Sequence, residues 1–219
     1  MSKILVTGAN RGIGLELCRQ LVGRGDRVIA VCRKGSAELQ ALKVRVIENI
    51  DVCSAESIDL FKDQLGDEKL DWLINNAGML AVETLDSLDF DTIEQQFRVN
   101  AMGPLRVTAA LANNLSDGSR VGIITSRMGS IDDNTSGSYY GYRMSKAAVN
   151  MAGASLAHDL KERGIAVALL HPGMVATGMT GGQGIPPAES ASGLIQRMDE
   201  LEISQSGSFW HANGEHLPW

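Results

Sequence analysis

Residues 3–14 read Lys3-Ile4-Leu5-Val6-Thr7-Gly8-Ala9-Asn10-Arg11-Gly12-Ile13-Gly14, a short apolar run that leads directly into a glycine-rich turn. A helical pattern of apolar residues follows over 15–22. A strand, a glycine turn and a helix in this order are typical of a dinucleotide-binding site. In such a site Gly8 permits the tight turn, Gly12 lets the backbone approach a pyrophosphate, and Gly14 lets the helix pack close to the sheet.

The spacing of the glycines alone is a weaker sign of a dinucleotide site than the strand and helix around them. It is Gly-x-x-x-Gly-x-Gly rather than Gly-x-Gly-x-x-Gly, and the simpler alternative is a loop that only turns the chain. The strand before the turn and the helix after it favour the nucleotide site. The free N–H groups and the positive dipole end of a helix N-terminus attract phosphates.

Strands and helices alternate along the whole chain. Strands are predicted at 3–7, 27–33, 43–48, 70–74, 120–126, 165–171 and 207–210, and helices near 12–24, 36–41, 54–65, 89–114, 140–162 and 188–201. Such alternation implies parallel pairing with right-handed crossovers. Because no internal repeat or linker interrupts it, we expect a single α/β domain over 1–219. Its fold would be a doubly wound parallel sheet (Rossmann) in three α/β/α layers.

Composition limits the classes of function. The net charge of −6 argues against nucleic acid as a partner. Cys18, Cys32 and Cys53 are odd in number and lack metal-ligand spacing, so we predict free thiols in a reducing compartment. A strand follows Met1 almost at once, and no apolar run is long enough to span a membrane. We therefore expect no signal peptide, no membrane association and a cytoplasmic location.

The second predicted strand ends at Arg33-Lys34. A site that reads the ribose 2′-hydroxyl of NAD would place Asp or Glu near this strand end. The sequence has two cations there instead, and Arg11 in the glycine turn adds a third. Positive charge suits the 2′-phosphate of NADP, which arginine can hold with two hydrogen bonds. The alternative is ordinary surface charge, but the pattern favours NADP(H) over NAD(H).

Tyr142 and Lys146 are four residues apart, so both side chains lie on one face if the segment is helical. A free tyrosine hydroxyl has a pKa of about 10 and is a poor acid or base at neutral pH. A neighbouring ammonium group favours the phenolate, and we expect Lys146 to pull the pKa of Tyr142 down toward the working range. Such a pair also arises often by chance, so the rest of the chain must decide its meaning.

Six elements in order resemble the short-chain dehydrogenase/reductase family. They are Thr-Gly-x-x-x-Gly-x-Gly at 7–14, Asn-Asn-Ala-Gly at 75–78, a helix asparagine at Asn100, Ser126 after an apolar strand, the Tyr142–Lys146 pair, and a Pro-Gly element over 171–177. The resemblance covers essentially the whole chain. The glycine-rich turn and the segment 206–219 are most similar to the small C-factor-like and carbonyl-reductase-like members.

The resemblance implies a role for each residue of the site. Tyr142 gives a proton to the carbonyl oxygen, and Lys146 tunes that tyrosine and hydrogen-bonds to the nicotinamide ribose. Ser126 orients the carbonyl, and Asn100 holds a water that links Lys146 to solvent. The implied contacts of NADP(H) are Gly8, Asn10, Arg11, Gly12, Ile13, Gly14, Arg33, Asp51, Val52, Asn76, Ala77, Gly78, Tyr142, Lys146, Pro172, Gly173, Val175 and Thr177.

Simpler structural roles exist for these residues. Ser126 could only end a strand, and Asn100 could cap or kink a helix. Ser126 lies sixteen residues before Tyr142, a few more than is usual in the family, and the loop 128–138 should absorb the difference. Ser130 is an alternative serine, but it lies beyond the apolar strand. The adjacent tyrosines at 139 and 140 have no lysine four residues later.

His171 precedes the Pro-Gly element, which invites an acid–base role. Its place at a strand end makes a packed structural histidine the preferred interpretation. The other histidines, at 158, 211 and 216, are scattered and form no metal pattern, so no metal site is predicted.

The segment 178–187 carries four glycines and two prolines and follows the sixth strand, where open α/β sheets bind ligands. It is either a connecting loop or, as we prefer, a mobile lid over the substrate. Together with the helical pattern that follows, the range 178–201 is predicted to form a substrate loop and helix.

These features lead to one expected function and one alternative. We expect an NADPH-dependent oxidoreductase that reduces an aldehyde or ketone, a small-molecule carbonyl, to an alcohol. The alternative is a nucleotide-sensing regulatory or signalling protein with little turnover. The resemblance also implies pairing through the helices near 89–114 and 140–162. We therefore expect at least a homodimer, with a homotetramer possible through the terminal strand near 208–210.

Overall fold

The structure is a computed structural model that describes all 219 residues. The strands are β1 (Lys3–Thr7), β2 (Arg27–Val31), β3 (Arg45–Ile47), β4 (Leu70–Asn75), β5 (Leu115–Ile124), β6 (Ala166–His171) and β7 (Ser208–His211). The α-helices are α1 (Gly12–Gly23), α2 (Ala37–Ala41), α3 (Ala55–Leu65), α4 (Phe90–Phe97), α5 (Gly103–Ala110), α6 (Tyr140–Lys161) and α7 (Pro187–Glu200).

All seven strands pair in parallel in one sheet of order β3-β2-β1-β4-β5-β6-β7. The first strand is central, because Val6 lies opposite Ala30 of β2 on one side and opposite Ile74 of β4 on the other. The chain moves outward from β1 to β3, crosses back, and moves outward again from β4 to β7. The predicted doubly wound α/β fold is therefore confirmed.

An apolar core covers each face of the sheet. On one face Leu17 of α1 and Leu194 of α7 pack together with Leu170 of β6. On the other face the buried residues come from α3, α5 and α6, among them Phe61 and Val149. Strands buried on both sides read as continuous apolar runs, which is why their existence was predictable from the sequence.

The predicted helix over 89–114 is wrong as a single element. Helix α4 ends at Phe97, a π-helical turn occupies Arg98–Met102, and α5 begins at Gly103. Pro104 lies in the first turn of α5 and has no N–H, so it cannot donate to the carbonyl of Asn100 as a regular helix requires. The N–H of Gly103 donates to the Arg98 carbonyl instead, five residues back.

Several strand boundaries also differ from the prediction. Strand β5 begins at Leu115 rather than near 120, because residues 116–118 are exposed and interrupt the apolar pattern. It ends at Ile124, so Ser126 lies just beyond it. The ranges predicted as 27–33 and 43–48 contain shorter strands, Arg27–Val31 and Arg45–Ile47.

The site predicted from the sequence lies at the carboxyl edge of the sheet. Strands β1 and β4 are neighbours whose connections leave in opposite directions, which makes their carboxyl ends the topological switch point. The glycine turn follows β1, the Asn-Asn-Ala-Gly element follows β4, and Ser126 follows β5. None of the helices combines the length and the apolar character needed to cross a membrane.

Candidate active site

The glycine turn is packed tightly against the end of β4. Gly8 has a φ of +65°, and a Cβ there would lie 2.8 Å from Ala77 Cα. A Cβ on Gly14 would collide with the Gly8 carbonyl oxygen and with the Asn76 side chain. Asn76 Nδ2 donates to the carbonyl oxygens of Thr7 (3.0 Å) and Gly8 (3.2 Å). The Asn76 side chain is therefore committed to holding the turn in shape.

The N-terminus of α1 is open to an anion. Arg11 occupies the N-cap position without a side-chain cap hydrogen bond, and no acidic residue stands in the first turn. The backbone N–H groups at the start of this helix thus lack the usual capping oxygen. Across the cleft, a Cβ on Gly12 would lie 3.4 Å from the Thr177 methyl group. The turn and the Pro-Gly element therefore face each other closely.

The cations predicted to bind a 2′-phosphate are exposed and unpaired. Arg33 and Lys34 follow β2, form no salt bridge, and stand beside Asn10, whose Nδ2 donates to the Lys34 carbonyl at 2.9 Å. The structure adds an acid that the sequence analysis missed. Glu48, just after β3, places its carboxylate where a Cβ on Gly35 would be. This corner of the site therefore carries mixed charge.

The segment after β3 forms the next wall. Asp51 Oδ1 accepts from the Cys53 N–H at 2.9 Å, and the Asp51 N–H donates to Ser57 Oγ at 2.8 Å. The Val52 side chain packs against Gly103 of α5, where a Cβ would lie 2.9 Å from its methyl group. Both residues are half-buried, and their contact with a cofactor stays a prediction.

Ser126, Tyr142 and Lys146 lie together in the interior at 6%, 8% and 4% exposure. Lys146 Nζ donates to the Ile124 carbonyl at 2.9 Å and lies 5.6 Å from the centroid of the Tyr142 ring. Gly78 closes the other side, because a Cβ there would lie 3.9 Å from Lys146 Nζ. The catalytic serine, tyrosine and lysine predicted from the sequence are thus brought to one place.

Burial controls the pKa values of this group. It raises the pKa of Tyr142 to about 12, against a lowering effect of the Ser126 hydroxyl. It lowers the pKa of Lys146 to about 8. The expectation that Lys146 pulls down the pKa of Tyr142 is therefore wrong. Desolvation by burial dominates, and Lys146 Nζ donates to the Ile124 carbonyl rather than to the phenol.

Asn100 lies in the π-helical turn and is buried. Its Nδ2 donates to the Met79 carbonyl (2.8 Å) and to Ser145 Oγ (3.0 Å), and its Oδ1 accepts from the Met79 N–H (2.8 Å). The side chain thus ties the segment after β4 to helix α6. Asn100 therefore has a structural role at the kink between α4 and α5, and its role in catalysis stays a prediction.

The alternative residues have other tasks. Ser130 Oγ accepts from the Asp133 N–H at 3.0 Å and shapes a turn. Tyr139 has a left-handed backbone and forms the N-cap of α6. His171 packs edge-to-face on His211 with ring centroids 4.8 Å apart, and burial depresses its pKa to about 3. A neutral, packed His171 agrees with the structural interpretation, although its buried Nδ1 has no hydrogen-bond partner.

The Pro-Gly element and the glycine-rich loop after it are joined at their base. The Ala176 N–H donates to the Ile185 carbonyl (2.9 Å), and the Ile185 N–H donates to the Met174 carbonyl (2.8 Å). These bonds enclose an exposed loop whose tip is rich in glycine. Helix α7 buries Leu194 and Met198 against the sheet, so it belongs to the core more than to the substrate site.

Sequence reasoning missed a buried acid next to helix α6. Glu83 is 1% exposed, and its carboxylate accepts from the Gln96 side chain (2.5 Å) and from the Gly141 N–H (3.2 Å). The signal was weak, because Glu83 stands in a polar stretch and Gln96 is one of two adjacent glutamines. No group of three or more His, Cys, Asp or Glu side chains is arranged to hold a metal ion.

Comparison with known proteins agrees with this geometry. The family model described as short chain dehydrogenase matches residues 2–185. The chain is 44% identical over 226 residues to 1-hydroxy-2-glutathionyl-2-methyl-3-butene dehydrogenase of Rhodococcus sp. (strain AD45), over 100% of both chains. It is also 44% identical over 154 residues to C-signal of Myxococcus xanthus, over 68% of this chain and 93% of that relative.

Solved structures share the fold over the full length. The NADPH-bound carbonyl reductase from chicken fatty liver is 29% identical to this chain and superposes with a TM-score of 0.90. The superposition covers 100% of this chain and 99% of the reductase.

Proposed function

This chain belongs to the short-chain dehydrogenase/reductase family, as its motifs predicted, and we propose that it is an NADPH-dependent oxidoreductase that reduces an aldehyde or ketone to an alcohol. One observation carries the proposal. Ser126, Tyr142 and Lys146 are buried together at the same carboxyl edge of the sheet as the uncapped start of α1. A protein that only binds a nucleotide has no need of a buried phenol and amine at that position.

The glycine turn fits a dinucleotide. The positive N-terminal end of α1 is uncapped and can accept a pyrophosphate. Gly8 and Gly14 pack so closely against their neighbours that neither position has room for a side chain. A bound NADPH would supply the hydride. The residues of the chain then have to hold the carbonyl and supply one proton.

The proton comes from Tyr142. Because burial raises its pKa to about 12, the hydroxyl stays protonated at neutral pH and can donate to the carbonyl oxygen. Ser126, next to that hydroxyl, orients the same oxygen. The pKa of Lys146 near 8 lies close to the working pH, so its amine can pass a proton toward Tyr142. It also carries the ammonium that would favour the phenolate once the proton has left.

Asn100 keeps its proposed place in this relay, with one change. Its side-chain atoms are all engaged with Met79 and Ser145. A water that connects Lys146 to solvent would therefore be held by the Asn100 backbone carbonyl, with which Pro104 cannot form a hydrogen bond.

The preference for NADPH over NADH rests on Arg33, Lys34 and Arg11, which are exposed and unpaired at the end of the cofactor cleft. Arginine holds a phosphate dianion with charge-assisted hydrogen bonds. Glu48 beside Gly35 opposes this attraction, so we expect a preference rather than an absolute selection. The NADPH-bound chicken carbonyl reductase supports the proposal by similarity.

The placement of their segments supports the remaining cofactor contacts that we propose. They are proposed for Gly8, Asn10, Gly12, Ile13, Gly14, Asp51, Val52, Asn76, Ala77, Gly78, Tyr142, Lys146, Pro172, Gly173, Val175 and Thr177, which all lie at or near the carboxyl edge of the sheet. The loop 178–184 would close over the substrate, as its joined base and glycine-rich tip favour. One relative is named as a dehydrogenase of a glutathione-bearing alcohol, so a glutathione conjugate belongs among the substrates to be tested.

We also propose a homodimer located in the cytoplasm. Exposed apolar side chains lie on neighbouring helices, with Leu105 of α5 at 44% and Met144 and Met151 of α6 at 55% and 69% exposure. A second copy of this chain would cover them. All three cysteines are free, which suits a reducing compartment.

A signalling protein with little turnover is the second candidate, favoured by the similarity to C-signal. Turnover separates the two. The purified protein is mixed with NADPH or NADH and a panel of aldehydes and ketones that includes a glutathione-bearing aldehyde, and cofactor oxidation is followed by absorbance. Oxidation of NADPH that depends on a carbonyl supports the reductase. Tight NADPH binding without oxidation across the panel supports the signalling protein.

A further inference from the structure

Glu83 is a buried acid that the proposed chemistry does not use. It lies in the segment between β4 and α4 and is 1% exposed, yet no Lys, Arg or His forms an ion pair with it. Burying a carboxylate without a cation is costly unless hydrogen bonds and dipoles replace the lost water. Both Glu83 and its partner Gln96 therefore call for a functional explanation.

The carboxylate lies at the start of the catalytic helix. Its Oε2 accepts from the N–H of Gly141, in the first turn of α6 and directly before Tyr142. The Glu83 backbone carbonyl also accepts from the N–H of Tyr139, the N-cap residue of that helix, at 2.8 Å. A negative charge at a helix N-terminus is stabilised by the helix dipole. The acid thus fixes the first turn of α6 at two points.

Gln96 completes the arrangement from helix α4. Its Nε2 donates to Glu83 Oε1, and its Oε1 accepts from the Ala81 N–H at 2.9 Å. A side chain on Gly141 would collide with the Gln96 amide, so helix and amide are in direct contact. Every hydrogen bond of this chain has a fixed donor: the Ala81 N–H donates to Gln96, Gln96 donates to Glu83, and the Gly141 N–H also donates to Glu83.

We propose that Glu83 and Gln96 are a positioning pair that sets the place of the Tyr142 hydroxyl by fixing the first turn of α6. The inference rests on the proposed function, because it concerns the group that donates the proton. Neither residue touches the reacting atoms. A small rotation of the first turn would move Tyr142 relative to Ser126 and the carbonyl, and proton transfer is sensitive to such shifts.

The direction of the hydrogen bonds allows a reversal test. In Glu83→Gln the new NH₂ group must face another donor, either the Gly141 N–H or the Gln96 NH₂ group. Turning the Gln96 amide round removes the second conflict, but its NH₂ group then faces the Ala81 N–H. In Gln96→Glu two carboxylates face each other. In the double variant E83Q/Q96E every donor again meets an acceptor, because residue 83 then donates to residue 96 and still accepts from Gly141.

The experiment compares wild type, both single variants and the double variant. Each single variant should lower kcat about tenfold or more, while the Kd of NADPH, measured by its fluorescence, stays within about threefold of wild type. The solvent isotope effect on kcat should rise, because the misplaced tyrosine makes proton transfer slower than hydride transfer. The double variant should return kcat and the isotope effect to within about threefold of wild type.

A control separates positioning from loss of stability. Ser119→Ala removes a buried hydrogen bond to the Leu70 carbonyl at the opposite end of the sheet and should lower stability without changing the isotope effect. The proposal is overturned if the double variant recovers nothing, or if the single variants lose NADPH affinity and kcat together at an unchanged isotope effect.

A wild-type protein without turnover would refute the proposed function but would leave the positioning role of Glu83 and Gln96 to be tested separately. Hydrogen exchange at the amides of Tyr139 and Gly141 then decides. Exchange that is faster in both single variants and normal in the double variant supports the anchoring of α6, and equal exchange in all four proteins contradicts it.

Discussion

Replacing Lys146 by methionine should make the protein more stable while abolishing its activity. The amine is buried at 4% exposure, and burial lowers its pKa from 10.5 to about 8. Each pKa unit corresponds to about 1.36 kcal/mol, so keeping the ammonium in the folded state costs roughly 3 kcal/mol at pH 7. Methionine has a similar length and no charge. It gives up the hydrogen bond to the Ile124 carbonyl, which offsets about 1–2 kcal/mol of the gain.

The pH dependence identifies the cause. Because folding lowers the pKa of Lys146, the free-energy cost of burying its ammonium is fully present below about pH 8. This cost disappears as the pH approaches 10.5. Wild type should therefore gain stability relative to Lys146→Met as the pH rises. The advantage of the variant should shrink by roughly 2–3 kcal/mol between pH 7 and pH 10. Because burial raises the pKa of Tyr142 to about 12, its hydroxyl stays protonated in both folded proteins up to pH 10 and does not contribute to the difference.

The assay is urea denaturation of both proteins at pH 7, 8, 9 and 10, at one protein concentration and followed by tryptophan fluorescence. The difference in the free energy of unfolding is compared across the series. If the stability advantage of Lys146→Met stays constant from pH 7 to pH 10, or grows with pH, the argument that the buried ammonium destabilises the folded protein at neutral pH is refuted.

Three further predictions concern the cofactor site and assembly. Arg33→Asp should weaken NADPH binding about tenfold or more and NADH binding little, whereas Arg27→Asp, at the other end of the same strand, should change neither. Fluorescence titration with both cofactors checks this prediction. Equal losses of affinity for NADPH and NADH would contradict a contact between Arg33 and the 2′-phosphate. Gly14→Ala should remove NADPH binding in the same titration and lower the Tm, because its methyl group collides with the Gly8 carbonyl; near-normal affinity would show that the turn tolerates a side chain. Leu105→Glu should give a monomer in light scattering, while Leu60→Glu on α3, where the leucine is 60% exposed against 44% for Leu105, should not. A wild-type monomer would exclude the proposed dimer.

The parts of the fold that were predictable depend on short-range patterns. Continuous apolar runs mark the buried strands, and the glycine turn over 8–14 marks the first crossover because strand, turn and helix are adjacent in sequence. The order of Ser126, Tyr142 and Lys146 is likewise a local pattern. The residues of the candidate site could therefore be named from the sequence, and their chemistry stays a prediction.

The parts that were missed depend on contacts between distant segments. Glu83 and Gly141 are 58 positions apart, and nothing near either residue signals their hydrogen bond. Glu48 reaches Gly35 from the neighbouring strand in the same way. The π-helical turn before Pro104 was within reach, since a proline in a long helical pattern predicts a break. The pKa of Tyr142 was predicted in the wrong direction because complete burial cannot be read from its spacing to Lys146.

The central claim is that Tyr142 donates the proton in carbonyl reduction, and single-turnover kinetics of Tyr142→Phe test it most directly. The substitution removes one buried hydroxyl and keeps the ring that packs beside Lys146. We predict that the Kd of NADPH stays within about threefold of wild type while the rate of NADPH oxidation at saturating cofactor and carbonyl falls about 10²–10⁴-fold. A rate within a few-fold of wild type would contradict the assignment.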